Sequence, residues 1–433
     1  MSHILFVTLY FPPEVGAPQT RISETAVRLV KRGHRVTVLT TFPNYPSGIV
    51  PPEYRGGKRR REALDGVEVV RVWSFVRPNT GFLNRILAQL SFGCLAPFIG
   101  IWMVGHPDII IVESPPLFDA IAGRLLAWWK RRPYVFTVAD IWPESAVQLG
   151  ALQNHLAIWL AERLEWSSYQ RSGAIWAVTR GIRQTLVERG LPADHVFLLP
   201  NGVDTAKFRP QAKMQARAQL GWDDRFTVLY AGTIGLAHGL ATVLDAAELL
   251  RVHPDIHIIL MGEGAARAEL VAGARRRGVA NVTFLDPQPH NRMPLVISAA
   301  DACLVSLRRV PLFDGALPSK IYEAMASARP ILLAVDGEAR RLIAEQAQAA
   351  VYVEPENYKA LADAILSLRD RPELAEALGQ HGRTFVEAHF DRDKLTAQLE
   401  EQLAAVLSRS RRRHPLTVVE QAAHGAPETQ RVP

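Results

Sequence analysis

Twice in this chain of 433 residues a short apolar run passes through a Gly-bearing loop straight into a helix-period segment, and that repeated step constrains the fold most. The first run is 3–9. It is followed by the loop Phe11-Pro12-Pro13-Glu14-Val15-Gly16-Ala17-Pro18-Gln19-Thr20-Arg21, a helix expected over 22–31, and, after Gly33-His34, a strand over 35–40. The second starts at 226–231 and runs through Gly232-Thr233-Ile234-Gly235-Leu236-Ala237-His238-Gly239 into a helix expected over 241–252. A strand, a crossover helix and a second strand make a βαβ unit, the building block of parallel sheets. Apolar runs at 67–73, 109–113, 134–139, 174–178 and 196–199 extend the first sheet; those at 256–261, 282–285, 302–306 and 330–334 extend the second. The spacing predicts an α/β protein of two doubly wound domains, with ligands bound beyond the carboxyl ends of the strands.

That rule directs attention to three loops. Gly16 follows the first strand, where it either lets backbone approach a phosphate or serves as a plain turn residue. Gly232 and its neighbours follow the first strand of the second domain. The third is Asp314-Gly315-Ala316-Leu317-Pro318-Ser319-Lys320-Ile321-Tyr322-Glu323-Ala324-Met325, a loop running into a short helix that Arg329-Pro330 ends. With Ser319 as N-cap, the first-turn amides and the positive end of the helix dipole suit a phosphate. Ile321, Ala324, Met325 and Ala328 take one face of this helix and Lys320, Glu323 and Ser327 another. Glu323 stands four residues after the N-cap rather than the three a capping box needs, so its carboxylate is available for two ribose hydroxyls.

The stretch resembles the donor-site motif of family 4 glycosyltransferases, the retaining GT-B enzymes, in the Pro318-Ser319-Lys320-x-x-Glu323 form seen among bacterial transferases of deoxyamino sugars of the fucosamine type. The family motif has two glutamates separated by seven residues. Glu323 takes the second place; the first falls on Gly315, beside Asp314. The resemblance covers about 1–407 and implies GT-B architecture, two Rossmann-like domains facing across a cleft: 1–200 on the acceptor side, 205–385 holding the nucleotide sugar, and 386–407 as a helix crossing back. It implies that Glu323 holds the ribose, Ser319 and Lys320 the diphosphate, and Gly16 the phosphate from the opposite domain. Many members carry an Arg and a Lys on the phosphates where this chain has Thr233 and His238, beside Gly232, and Met261-Gly262-Glu263-Gly264 corresponds to the nucleobase side. Asn201-Gly202-Val203-Asp204 corresponds to the interdomain connection. Of the family's His-Asp pair on the acceptor side, only Asp140 is present; it either orients an acceptor hydroxyl or caps the turn that follows.

Composition bounds the rest. At 48% hydrophobic and 21% charged the chain is an ordinary globular one. Its 50 basic and 43 acidic residues give +7, with clusters at 58–61, 130–132, 275–277 and 411–413; these are solvated faces or contacts to an anionic membrane or phosphorylated acceptor. No nucleic-acid module accompanies them, so no nucleic-acid partner is expected. Cys94 and Cys303 lie in apolar runs and read as buried thiols, and no metal-ligand spacing or cofactor motif is present. Between Arg85 and His106 no residue is charged, a length that reaches a membrane span. The segment is broken by Gln89, Ser91, Gly93, Pro97 and Gly100 and runs on into the buried strand at 109, so a packed helix or one dipping into the membrane interface is expected. From 408 onward, Arg, Pro, Gly and polar residues predict a disordered tail.

The expected activity is transfer of a sugar, a deoxyamino sugar by the motif variant, from a nucleotide-diphosphate donor, UDP-linked by resemblance, to a lipid-linked or nascent surface glycan with retention. The expected location is the inner face of the bacterial membrane, as a peripheral protein. A GT-B sugar-nucleotide epimerase and a catalytically silent donor-binding subunit are the alternatives.

Overall fold

A computed structural model describes residues 1–14, 16–45, 48–77, 82–148, 150 and 152–413. Two sheets organise the chain. The first contains β1 (His3–Val7), β2 (Arg35–Thr41), β3 (Arg59–Leu64), β4 (Val67–Val72), β5 (Ile109–Val112), β6 (Tyr134–Val138), β7 (Ala174–Ala177) and β8 (Val196–Leu198), in the order β3-β4-β2-β1-β5-β6-β7-β8. Every neighbour pair is parallel except β3 on β4. The second contains β9 (Phe226–Ala231), β10 (Ile256–Met261), β11 (Val282–Leu285), β12 (Ala302–Ser306), β13 (Ile331–Ala334) and β14 (Ala350–Tyr352), in the all-parallel order β11-β10-β9-β12-β13-β14. In each sheet the chain winds outward from one strand, returns and winds the other way. The switch points fall between β1 and β5 and between β9 and β12, where doubly wound sheets open a crevice at their carboxyl ends.

The strands read as near-continuous apolar runs because both faces are covered. Ile4, Leu5, Phe6 and Val7 are buried, as are Ile109 to Val112. The helix Ala17–Lys31 covers one face with Ile22, Ala26 and Leu29, spaced by four and three residues. It starts five residues before the expected 22. Gly16 is its N-cap and Pro18 sits in its first turn, where the missing N–H has no helical partner to lose.

Other expectations are corrected. Cluster 58–61 enters the charged edge strand β3, where Arg60 pairs with Glu62 and Arg61 with Glu68, a pattern that discourages pairing with another sheet. Cys303 is buried but Cys94 is exposed. In the helix His155–Arg171, Trp159 and Leu160 are exposed, while Leu164 and Trp166 pack on the core. The segment at 86–105 forms the helix Phe82–Gly100, with Phe92 and Ala96 buried and Leu87, Leu95 and Phe98 exposed. Among the described residues no helix is long and apolar enough to cross a membrane.

The chain crosses between domains twice at one place. Val203 forms a parallel bridge with Asp391, and Val203 N donates to Phe390 O at 3.0 Å. The helix Arg392–Arg413 then lies on the first domain, adding Leu395, Leu399, Leu403 and Val406 to its core. Arg392, fully enclosed, donates to Gly202 O and to Glu24 on the first helix, while Arg28 reaches both Asp204 and Asp393 at 2.7 Å. This helix runs six residues past the expected end at 407, because 408–413 continue its last turns; residues 414–433 of the expected tail lie outside the described residues.

Candidate functional site

The loops flanking the second switch point converge. After β9 the chain turns through Gly232, whose φ of 143° lies in a region L side chains rarely adopt. After β10 it turns through Gly262, with φ 145°. The two turns pack backbone on backbone: Gly232 N donates to Met261 O at 2.9 Å, Ile234 N to Glu263 O at 2.8 Å, and a Cβ on Gly262 would fall 1.8 Å from Gly232 O. That contact alone requires a glycine at 262, so Gly262 does not need a nucleobase to account for it.

Into this turn projects Lys320, from the start of the helix Lys320–Ala326. Its Nζ is buried, has no hydrogen-bond partner among the described residues, and lies 3.8 Å from the centroid of the Tyr230 ring. A Cβ on Gly232 would stand 2.9 Å from that ammonium, so the glycine leaves it room. Burial pushes the Lys320 amine down from 10.5 to about 7, against the opposing pull of the Glu323 carboxylate. The His238 ring packs edge-on against the same Tyr230, and burial beside the Lys320 charge lowers it to about 4, so it is neutral at pH 7. Thr233 is exposed at the rim and its carbonyl accepts from the Tyr230 hydroxyl at 2.6 Å. A buried amine that makes no ion pair among the described residues, a neutral imidazole and open backbone turns form a cradle that suits an anion.

The helix itself starts more tightly than its sequence suggests. Ser319 is the N-cap but has helical φ and ψ, and its side chain makes no capping bond. Instead Ile321 N and Tyr322 N donate back to Pro318 O and Ser319 O at 3.1 Å, a 3₁₀-type first turn. Glu323, one turn on, is partly exposed and accepts from His290 Nε2 at 3.1 Å, while Lys207 Nζ lies 2.9 Å from His290 Nδ1. A Lys donating to Nδ1 fixes the proton on Nε2, so His290 donates to Glu323. Nothing in local spacing marks Lys207 or His290, which lie 83 residues apart.

The place of the family's first glutamate is occupied differently. Gly315 lies in the seam between the domains, against Gly181 of the helix Arg180–Glu188: a Cβ on Gly181 would come 2.7 Å from Gly315 Cα. Beside it Glu338, buried, accepts from Arg180 N at 2.9 Å and Gly181 N at 2.6 Å, closing the first turn of that helix from the other domain. Gly337, at φ 67°, lets this loop approach Asp314, whose carbonyl accepts from Glu338 N at 2.6 Å.

In the first domain Gly16 caps its helix at the carboxyl end of β1 with extended φ and ψ, requiring no left-handed freedom; a Cβ would meet the movable Gln19 side chain. Asp140 follows β6. Burial raises its carboxyl, and Ser145 and the Ile141 amide hydrogen-bond to it, the partners of a turn cap.

Residues 16–202 match the Glycosyl transferase 4-like domain and 213–385 match Glycosyl transferases group 1. The chain is 29% identical over 369 residues to an Escherichia coli protein assigned to colanic acid biosynthesis as glycosyl transferase WcaI, covering 83% of this chain and 90% of that one. It is 24% identical over 428 residues to the GDP-mannose-dependent alpha-(1-6)-phosphatidylinositol monomannoside mannosyltransferase of Mycobacterium tuberculosis, covering 92% and 97%. Among solved structures, Anabaena HepE in complex with UDP-glucose superposes with a TM-score of 0.70 at 16% identity, over 94% of this chain and 100% of that one. With both halves matched and two doubly wound sheets joined at one crossover, the chain belongs to family 4 of the GT-B glycosyltransferases.

Proposed function

We propose that the protein transfers a sugar from a nucleotide-diphosphate donor, UDP-linked, to a lipid-linked or nascent surface glycan with retention, working at the inner face of the bacterial membrane. The observation that carries this reading is the unpartnered Lys320 ammonium, enclosed between the Gly232 turn and the Tyr230 ring. The diphosphate is the natural counter-charge. It accepts from Lys320 and from backbone and side chain at Ser319 and Thr233, with His238 offering a neutral N–H, and Gly16 admits it from the opposite domain. Glu323, held by His290, takes the ribose hydroxyls, and the Gly262 turn borders the base.

Fixed donors stabilise the charge that develops on the leaving diphosphate as the sugar departs, worth roughly 2.7–4 kcal/mol per donor in comparable sites. The departing phosphate takes the acceptor proton on the same face. Asp140 orients the acceptor hydroxyl while held by Ser145. A deoxyamino sugar is the proposed transferred group, consistent with Gly315 in place of a glutamate that would grip hydroxyls of a hexose. The relative assigned to colanic acid biosynthesis and the relative acting on a phosphatidylinositol mannoside support a glycan or glycolipid acceptor.

The test is transfer with purified protein, a panel of sugar nucleotides and lipid extract as acceptor source. Appearance of glycolipid with an unchanged anomeric configuration supports the proposal. Donor binding with no transfer to any acceptor would point to a silent subunit instead.

A further inference from the structure

Parallel strands put the donor cleft at their carboxyl ends, and the opposite edge of the first sheet carries a second feature. There, below the start of β6 at Tyr134, of β7 after Gly173 and of β8 after His195, lies a cavity of roughly 1030 Å³. Its rim carries Arg124, Arg131, Arg132, Arg171 and Arg409, against the single carboxylate of Asp194. Among the described residues none of these arginines is in an ion pair. Arg124 bonds only to the Ser167 and Ser168 hydroxyls at 2.8 and 3.4 Å, and Arg409 reaches the Asp194 carbonyl at 3.5 Å. Arg277 of the 275–277 cluster by contrast is paired with Asp245 and Glu248. Five arginines gathered around one cavity, with Asp194 as the one acid among its described lining residues, repel each other, and an anion relieves that.

The walls between the arginines are apolar: Ile121, Leu125, Trp128, Leu164 and Val406. Trp128, 72% exposed, packs at 6.4 Å from Trp129, which meets Phe98 edge-on at 5.4 Å; Phe98 is 58% exposed and Trp102, just beyond its helix, 86%. A ligand matching this place carries an anionic head for the arginines, an aliphatic chain for the walls, and a surrounding interface in which indole rings are at home.

We propose that this cavity binds the headgroup of an acidic phospholipid and, with the aromatic strip from Trp128 to Trp102, seats the first domain on the membrane by the edge opposite the donor cleft. This deepens the peripheral-membrane reading and rests on it. It also orients the molecule: the cleft then faces away from the surface-bound edge, and a lipid-linked acceptor reaches it around the side of the domain.

The experiment is flotation of the full-length protein with vesicles of phosphatidylcholine alone and of phosphatidylcholine mixed with phosphatidylglycerol. Two double variants are compared: Arg132→Gln with Arg171→Gln at the cavity, and Arg275→Gln with Arg276→Gln, exposed in the second domain. Both remove the same charge from exposed positions, and thermal melts and nucleotide binding report that each variant is folded. The expected result is binding to the mixed vesicles only, weakened about fivefold per cavity arginine, so roughly 25-fold, and unchanged in the control pair. Equal weakening by both pairs would overturn the cavity site and leave general membrane attraction standing. Binding to neither vesicle overturns both the cavity site and the membrane reading. Binding of RNA that the cavity pair abolishes, with vesicles ignored, would make the rim a nucleic-acid site and overturn the lipid assignment.

Discussion

Replacing Lys320 with Met should make the protein more stable and less able to bind its donor. A lysine lowered from 10.5 to about 7 is charged in both folded and unfolded chains below pH 7. At about 1.4 kcal/mol per pH unit the folded state then carries a penalty of roughly 5 kcal/mol. Between pH 7 and 10.5 the unfolded chain holds the proton and the folded one has lost it, so stability rises with pH through that window. Met fills the volume without the charge. Lys320→Met is therefore expected to melt about 6 °C higher than the wild type at pH 6, with the difference closing toward pH 10. Its affinity for nucleoside diphosphate should fall by 10- to 100-fold, the worth of about 1.5–3 kcal/mol for a charge-assisted hydrogen bond. For the wild type, calorimetry between pH 7 and 9, where the phosphates of UDP no longer titrate, should show affinity falling with rising pH as the free amine loses its proton. A variant that melts lower at pH 6, or binds nucleotide as tightly as wild type, refutes the reasoning.

Other perturbations separate the site from its scaffold. Gly181→Ala should wedge the interdomain seam, since its Cβ would lie 2.7 Å from Gly315 Cα, whereas Gly315→Ala, with a nearest contact of 3.4 Å, should be tolerated; small-angle scattering would show a larger radius of gyration for the first alone. Glu338→Gln replaces one of the two accepting oxygens by an NH2 that cannot accept, so it loses one of the bonds to the Arg180 and Gly181 amides along with the charge and should cost about 1–3 kcal/mol of interdomain stability, read by melts of the whole chain. Gly262→Ala, with 1.8 Å to Gly232 O and φ 145°, should cost more than about 3 kcal/mol and expose the second domain to limited proteolysis. Asp140→Ala should leave nucleotide affinity intact and lower transfer; equal loss of both would make it a structural cap.

The sheets were legible because parallel strands covered on both faces are written as mostly apolar runs, several of them followed closely by glycine or proline. Elements without that signature were not. β3 is polar because it is an edge strand, and β14 is only three residues long, Ala350–Tyr352. The first helix begins five residues before the expected start because Pro18 is tolerated in a first turn. In the site, Lys320 and Glu323 were found from a motif held within six residues. His290, Lys207 and Tyr230 come to them from three other elements, and only the fold brings them together. The missing first glutamate reads in sequence as a departure. In the structure Gly315 lies on a glycine of the opposite domain, with Glu338 bonded beside it.

The central claim is that the loops after β9 and β12 hold a nucleoside diphosphate. Titration calorimetry of UDP, GDP and dTDP and their sugar nucleotides, without acceptor, against wild type and Glu323→Ala tests it most directly. One base should bind, and the variant should bind it at least about tenfold more weakly through loss of two ribose hydrogen bonds. Binding of none, or equal affinity in the variant, would contradict the assignment of this cleft.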